Sequence, residues 1–284
     1  MRKIKNIYPA SYSPIADLIT YSPLPNRKIS QVDPFLFLNH HGPQVYSSNN
    51  NGLPFGPHPH RGMETVTFII DGDIMHKDSS GHESVITAGG VQWMTAGWGL
   101  IHAEVSSDQF KRNGGKLEIM QLWINLPSSL KMTDPFYMGL QKEDIPHLSL
   151  DNGKVTIKAV AGNWEGVQGA FKPKTDIQLS LISFEAAGEL TNSIPENHNI
   201  FFYVISGSLR VNGTEVKQLH LVEFETGETG LTIEAVEESM LLFGHAAPFN
   251  EPLVAQGPFV MNTQEEIMQA YDDYRQGKFG HWQF

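Results

Sequence analysis

The amino-acid sequence predicts an all-β protein, two tandem β-barrels closed by one short C-terminal helix. Two observations carry this. The 284 residues include 26 glycines and 17 prolines, which cut the chain into short β-branched and aromatic runs separated by tight turns. Two stretches also read alike, Glu64 to Gly97 ("ETVTFIIDGDIMHKDSSGHESVITAGGVQWMTAG") and Asn199 to Ala235 ("NIFFYVISGSLRVNGTEVKQLHLVEFETGETGLTIEA"). Each has an apolar run, a glycine turn ("DGD", "SGS"), two strands around a polar turn, and a further glycine turn.

The copies lie 135 residues apart, and between them "NLPSSLKMTDPFYMGLQKEDIPHLSLDNGK" is rich in Pro, Ser and charge. It reads as a linker with one short helix. The expected division is residues 1–135 as a first barrel, 136–152 as linker and 153–284 as a second barrel carrying the C-terminal helix. In "NTQEEIMQAYDDYRQGKFG", Asn262 or Thr263 is a plausible N-cap and Gly277 a plausible stop. Ile267, Ala270, Tyr271 and Tyr274 follow helical spacing.

Composition narrows the function classes. The net charge is −11 with no cluster of Lys and Arg, which argues against direct binding of nucleic acid. The start, "MRKIKNIYPASYSPIADLI", is basic but lacks the apolar segment of a signal peptide. No apolar run approaches the ~20 residues of a membrane-spanning helix. A cytoplasmic monomer is expected. There is no cysteine, so disulfides and thiolate metal sites are excluded and any metal must be held by His, Asp or Glu.

One constellation stands out. In "FGPHPHRGMETVTFI", His58 and His60 alternate with prolines at the mouth of an apolar run. With a period of two, His58, His60, Gly62, Glu64, Val66, Phe68 and Ile70 share one face, opposite Arg61, Met63, Thr65 and Thr67. Pro57 and Pro59 fix φ and stiffen the backbone that carries both rings. In "TAGWGLIHAEVS", His102 and Glu104 are likewise two residues apart on one face. Inside a small barrel the two pairs would converge as three imidazoles and a carboxylate. Such a set suits a divalent transition metal (iron, manganese, nickel, copper, cobalt or zinc) with positions left open.

A lone HxH is a weak signal, since histidine is usually a partly buried polar residue. HxHxxxE followed about 40 residues on by GxxHxE at strand-compatible positions is far more specific. The remaining histidines lack this pattern. His40 and His41 in "NHHGP" read as a loop near the mouth, and His76 and His82 as flanks of a hairpin. His147, His198, His220, His245 and His281 have no partner at ligand spacing. The second copy has "PENHNIFFYVI" and "TGLTIEAVEES" where the first has its four ligand candidates, so the scaffold is repeated without the site.

These residues resemble the pirin family, proteins with two cupin (jelly-roll) barrels. "DPFLFLNHHGP", "PHPHRGMETVTFIIDG", "HKDSSGH", "VQWMTAGWGLIHAE", "MQLWINLP" and "QGPFVMNTQEEIMQAYDDYRQGKFG" carry the resemblance over nearly the whole chain. It implies metal ligands at His58, His60, His102 and Glu104, with iron as the usual metal. Cupins in general often use the carboxylate after HxH, here Glu64, which the pirin pattern leaves as a supporting residue or candidate base. Many pirins carry a small or basic residue where this chain has Trp98. The resemblance also implies a nuclear transcription-cofactor role in animals, for which this acidic chain offers no basic targeting run.

Some pirins are similar in activity to quercetin 2,3-dioxygenases. A flavonol, or another chelating enol or α-hydroxyketone, offers adjacent oxygens to open metal positions beside O2, and cleavage of a flavonol releases carbon monoxide. Glu104 or Glu64 would take the hydroxyl proton. Phe55, Met63, Trp93 and Trp98 are candidate lining for a flat substrate, with ordinary core packing the competing account, stronger for Trp93. The alternative is a non-catalytic iron-bearing regulator whose redox state alters its binding to a protein partner.

Overall fold

The computed structural model describes residues 1–282. The chain forms two compact units, and neither is continuous in sequence. One holds Tyr12–Tyr21, Phe37–Glu143 and the C-terminal segment from Phe249 on; the other holds Met1–Ser11, Ser22–Leu36 and Asp144–Pro248. Each unit thus also draws segments from the far side of the expected division at residues 135 and 153.

The physical reason lies in strand pairing. Ile4–Pro9 pairs with His220–Phe224, so the first strand of the chain completes a sheet of the second unit. The expected linker is largely strand. Phe136–Leu140 pairs with Val91–Thr95, and His147–Leu150 pairs with Val155–Ala161, with a 3-10 turn at Lys142–Asp144 between them.

Each unit is a seven-stranded sheet facing a four-stranded one, with antiparallel pairing along the strands that carry Thr67, His76 and Glu104 in the first and Phe202, Val211 and Ile233 in the second. In the first, the four-stranded sheet runs Phe55–His60, Leu100–Val105, Asp73–Asp78, Glu83–Thr87. In the second it runs Glu189–Ser193, Gly230–Ala235, Ser208–Val211, Thr214–Lys217. The strand orders of the two units correspond element by element, as a duplicated jelly roll requires.

The interiors differ. In the first unit Thr67 faces Gln92 and Gln121 on its two neighbouring strands. The equivalent residue of the second, Phe202, faces Val222 and Phe243. Where the first pairs His76 with Glu104, the second pairs Val211 with Ile233. All five second-unit residues are buried in one apolar cluster.

Helix Gln264–Arg275 is capped as the sequence predicts. The Thr263 side chain accepts from the Glu266 backbone N–H, and the Glu266 carboxylate accepts in return from Thr263 N. It buries Ile267 and Ala270, while Tyr274 is exposed. A second, six-residue helix, Asp108–Asn113 with Ser107 as N-cap, was not expected. Among the described residues no helix is long and apolar enough to cross a membrane.

Candidate metal centre

The site begins with two neighbouring strands. Phe55–His60 and Leu100–Val105 pair so that His102 lies opposite His58 and Leu100 opposite His60. The three histidines converge, with one ligand-capable nitrogen from each lying within 4.8 Å of the others. The Nε2 atoms of His58 and His102 are 3.0 Å apart, and the ring centroids are separated by 4.4 to 4.9 Å.

Backbone carbonyls fix which nitrogen is available. His58 Nδ1 lies 2.7 Å from Gly56 O, and His60 Nδ1 lies 3.2 Å from Pro258 O. A carbonyl only accepts, so both Nδ1 atoms carry the proton and both Nε2 atoms present lone pairs. Nε2 of His60 is buried with no hydrogen-bond partner among the described residues, the situation a metal would relieve. Burial, reinforced by the neighbouring imidazoles, pushes His60 down to about 3 and His102 well below its ordinary value. Both rings are therefore neutral near pH 7, the form that ligates.

Glu104 is on the same strand face as His102, 1 % exposed, yet outside the group of converging nitrogens. Its Oε1 accepts from Thr67 Oγ1 at 3.0 Å and from Gln92 Nε2; its Oε2 accepts from Gln121 Nε2. The amides are oriented from behind. Tyr137 OH donates to Gln92 Oε1 at 3.0 Å, and Trp123 Nε1 donates to Gln121 Oε1 at 3.1 Å. Ser84 in turn hydrogen-bonds Tyr137 OH, whose ionisation burial pushes far up. The result is a buried carboxylate compensated by three donors and, among the described residues, by no cation.

Glu64 is placed differently from the expectation. The alternation drawn from His58 through Ile70 breaks at Arg61–Gly62, where one strand ends at His60 and the next, in the other sheet, starts at Met63. Gly62 has φ +81°, and a Cβ there would lie 2.0 Å from Val260 O. After the break the face that reaches Glu104 holds Thr67, and with it Thr65 and Met63. Glu64 is on the opposite face, accepting from Thr95 Oγ1 at 2.7 Å.

The aromatic expectations divide in the same way. Trp93 pairs with Val66, on the face away from Glu104, and is buried core. Trp98 directs its indole N–H to Asp134, 3.3 Å away. Phe55 packs against His41 with ring centroids 5.1 Å apart. The aromatics beside the histidines are ones the sequence reading missed. Trp123 meets His60 edge-on at 5.2 Å and Phe37 at 4.6 Å, and both Trp123 and Phe37 are half-buried.

His76 is fully buried, stacks on Tyr137 at 3.8 Å and lies 5.4 Å from His102. Its Nε2 meets Asp78, which also meets His82 at 3.2 Å. Although burial opposes ionisation, these bonds hold the Asp78 carboxyl below its usual range. His40 and His41 belong to the strand Phe35–Tyr46 and are buried, not part of a loop. His198 and His245, which showed no ligand spacing, meet through their Nδ1 atoms at 2.9 Å in the second unit.

Comparison with known proteins gives the same fold and more. Residues 18–124 match the Pirin family model and residues 180–280 the model for the Pirin C-terminal cupin domain. Pirin-1 of Arabidopsis thaliana is 38% identical, over 89% of this chain and 86% of its own. A Pseudomonas aeruginosa protein named "Putative quercetin 2,3-dioxygenase PA2418" is 35% identical, over 94% of this chain and 92% of its own. The crystal structure of a quercetin 2,3-dioxygenase from Acinetobacter baumannii superposes with a TM-score of 0.93 at 34% identity, over 99% of both chains. With both barrels matched and the histidine cluster set in the first, the chain belongs to the pirin family.

Proposed function

We propose that this chain is a metal-dependent dioxygenase that cleaves a flavonol or a related chelating enol or hydroxyketone. The observation that carries the reading is the convergence of His58, His60 and His102 around the unpartnered, buried Nε2 of His60. Three imidazoles without sulfur suit a divalent transition metal, and iron(II) is the metal we assign. Such a metal supplies Lewis acidity to a deprotonated, chelating substrate and brings O2 beside it.

The chain's own residues take distinct parts. The three histidines would hold the metal. Glu104 is assigned as the fourth ligand rather than as a base, because three donors already engage its two oxygens. Oε2 accepts only from Gln121 and keeps a lone pair for that role. Gln92, Gln121 and Thr67 orient the carboxylate from behind. Trp123 and Phe37 present the half-buried aromatic surface on which a planar substrate would rest. Relatives named for quercetin 2,3-dioxygenase support the substrate class.

The test is O2 uptake by anaerobically iron-loaded protein given quercetin, beside a His102→Ala control. Turnover that vanishes in the control supports the reading. No uptake by a fully loaded protein sinks it and leaves the regulator acting through a protein partner.

A further inference from the structure

The repeated barrel accounts for the chain as far as Ala246, the end of the last core strand of the second copy. The residues that follow return to the first unit and settle at the break between its two sheets. There they meet the metal-site backbone at several points. Pro258 O accepts from His60 Nδ1. The next residue but one, Val260, donates its N–H to Arg61 O at 3.1 Å. Lys131, itself 1 % exposed, ties this junction, its Nζ donating to Gly62 O at 2.9 Å, Val260 O at 3.0 Å and Asn125 Oδ1 at 2.7 Å.

The helix end of the same segment grips the residue after His60. Arg61 Nη1 meets Asp273 Oδ2 at 2.9 Å, its Nε donates to Trp98 O at 2.6 Å, and its guanidinium lies 4.6 Å over the Phe279 ring. Phe279 also reaches the other ligand strand. Its carbonyl accepts from Ser79 Oγ at 2.7 Å, and that oxygen accepts from Ile101 N, the residue before His102. Ile101, Phe259, Met261, Ile267, Ala270 and Phe279 form one apolar cluster beneath these bonds. The segment thus touches both strands that carry histidines, at His60 itself and at Ile101, the residue before His102.

We propose that the C-terminal segment is the positioning element of the metal centre, so that metal loading and docking of this segment are coupled. The inference rests on the metal-site reading above. Pro258 O selects the Nδ1–H tautomer of His60 and aims its Nε2, as a carbonyl behind a ligating histidine does. Arg61–Asp273 holds the turn that sets the ring's direction. Coupling is reciprocal: a segment that favours the metal-binding geometry must itself be held more firmly once metal is bound.

The experiment uses the full chain and Ni2+ as the probe. Two variants loosen the contact from opposite sides. Asp273→Asn weakens the grip on Arg61, and Gly62→Ala drives a Cβ against Val260 O. Phe243→Ala, in the apolar interior of the second unit, serves as a destabilised control. The expected result is Ni2+ affinity lower by roughly 10- to 100-fold in both variants and unchanged in the control. Ni2+ should also slow hydrogen exchange at the Val260 amide of the wild-type chain. Wild-type affinity in either folded variant, or Val260 exchange indifferent to Ni2+, overturns the inference alone. No Ni2+ binding by the wild-type chain overturns the metal reading and this inference together.

Discussion

His58 and His102 face each other across two paired strands with their Nε2 atoms 3.0 Å apart. Two ring nitrogens at that distance are joined by one shared proton, and then neither lone pair is available to a metal. Binding an ion must therefore displace that hydrogen bond and engage the unpartnered Nε2 of His60 at the same time. Ion binding should stabilise the fold by about 2.7 kcal/mol at ~100-fold excess over the dissociation constant. Scanning calorimetry with and without Ni2+ checks this. His102→Ala should remove the ion-dependent rise in Tm, and a rise of wild-type size in that variant would place the ion elsewhere.

The carboxylate of Glu104 gives a second prediction. Gln121→Leu removes the donor to Oε2, and Gln92→Leu removes one of the donors to Oε1. Each leaves a buried carboxylate less compensated and removes the acceptor of the group behind it, Trp123 Nε1 or Tyr137 OH, of which the tyrosine keeps its bond to Ser84. Each should lose about 1–3 kcal/mol of stability in urea unfolding of the ion-free protein. Gln121→Glu should cost more, because it sets a second carboxylate against the first. Variants within a few tenths of wild type would show that the amides are not what compensates the charge.

The duplicated all-β plan was legible because strand alternation and glycine turns are local signals that appear twice. His58, His60 and His102 were legible because HxH and HAE keep ligands on one face of a strand whatever the surrounding fold. Glu64 was misplaced because period-two reasoning assumes an unbroken strand, and Gly62, with positive φ, ends one strand before the next begins in the other sheet. Gln92, Gln121 and Trp123 were illegible as site residues. A glutamine in an apolar strand shows its role only when the register is known, and here Thr67 lies opposite both. The exchange of terminal segments between units was illegible for a related reason: it is a matter of long-range pairing that no local pattern records.

The contrast between the two interiors predicts where stability without metal is concentrated. Phe202 and Phe243 fill the second unit where Thr67 and Gln121 stand in the first, and both phenylalanines are fully buried. Phe243→Ala should cost about 3–5 kcal/mol. Thr67→Ala, which removes one donor to Glu104 and no large apolar volume, should cost about 1–2 kcal/mol. Urea titrations of the two variants decide the order, and a reversed order would mean that the polar interior of the first unit contributes more to stability than the apolar interior of the second.

Acid sensitivity follows from the buried histidines. His41, His60 and His245 are each pushed down to about 3, first by burial and then by a neighbouring imidazole. Unfolding restores their ordinary value of about 6.5. Above that value neither state binds the protons and these groups contribute no pH dependence. Between about 6.5 and about 3 the unfolded chain takes up protons that the folded chain refuses, so stability falls as pH falls through this window. Each group contributes up to about 1.4 kcal/mol per pH unit in that range. The urea midpoint of the ion-free protein should therefore be nearly flat from about pH 8 to about pH 7 and drop steeply by about pH 5. His41→Asn, which keeps a polar side chain facing Thr20 but cannot titrate, should shallow the drop. A midpoint that stays level down to about pH 5 would mean that these imidazoles accept protons in the folded state, against their burial.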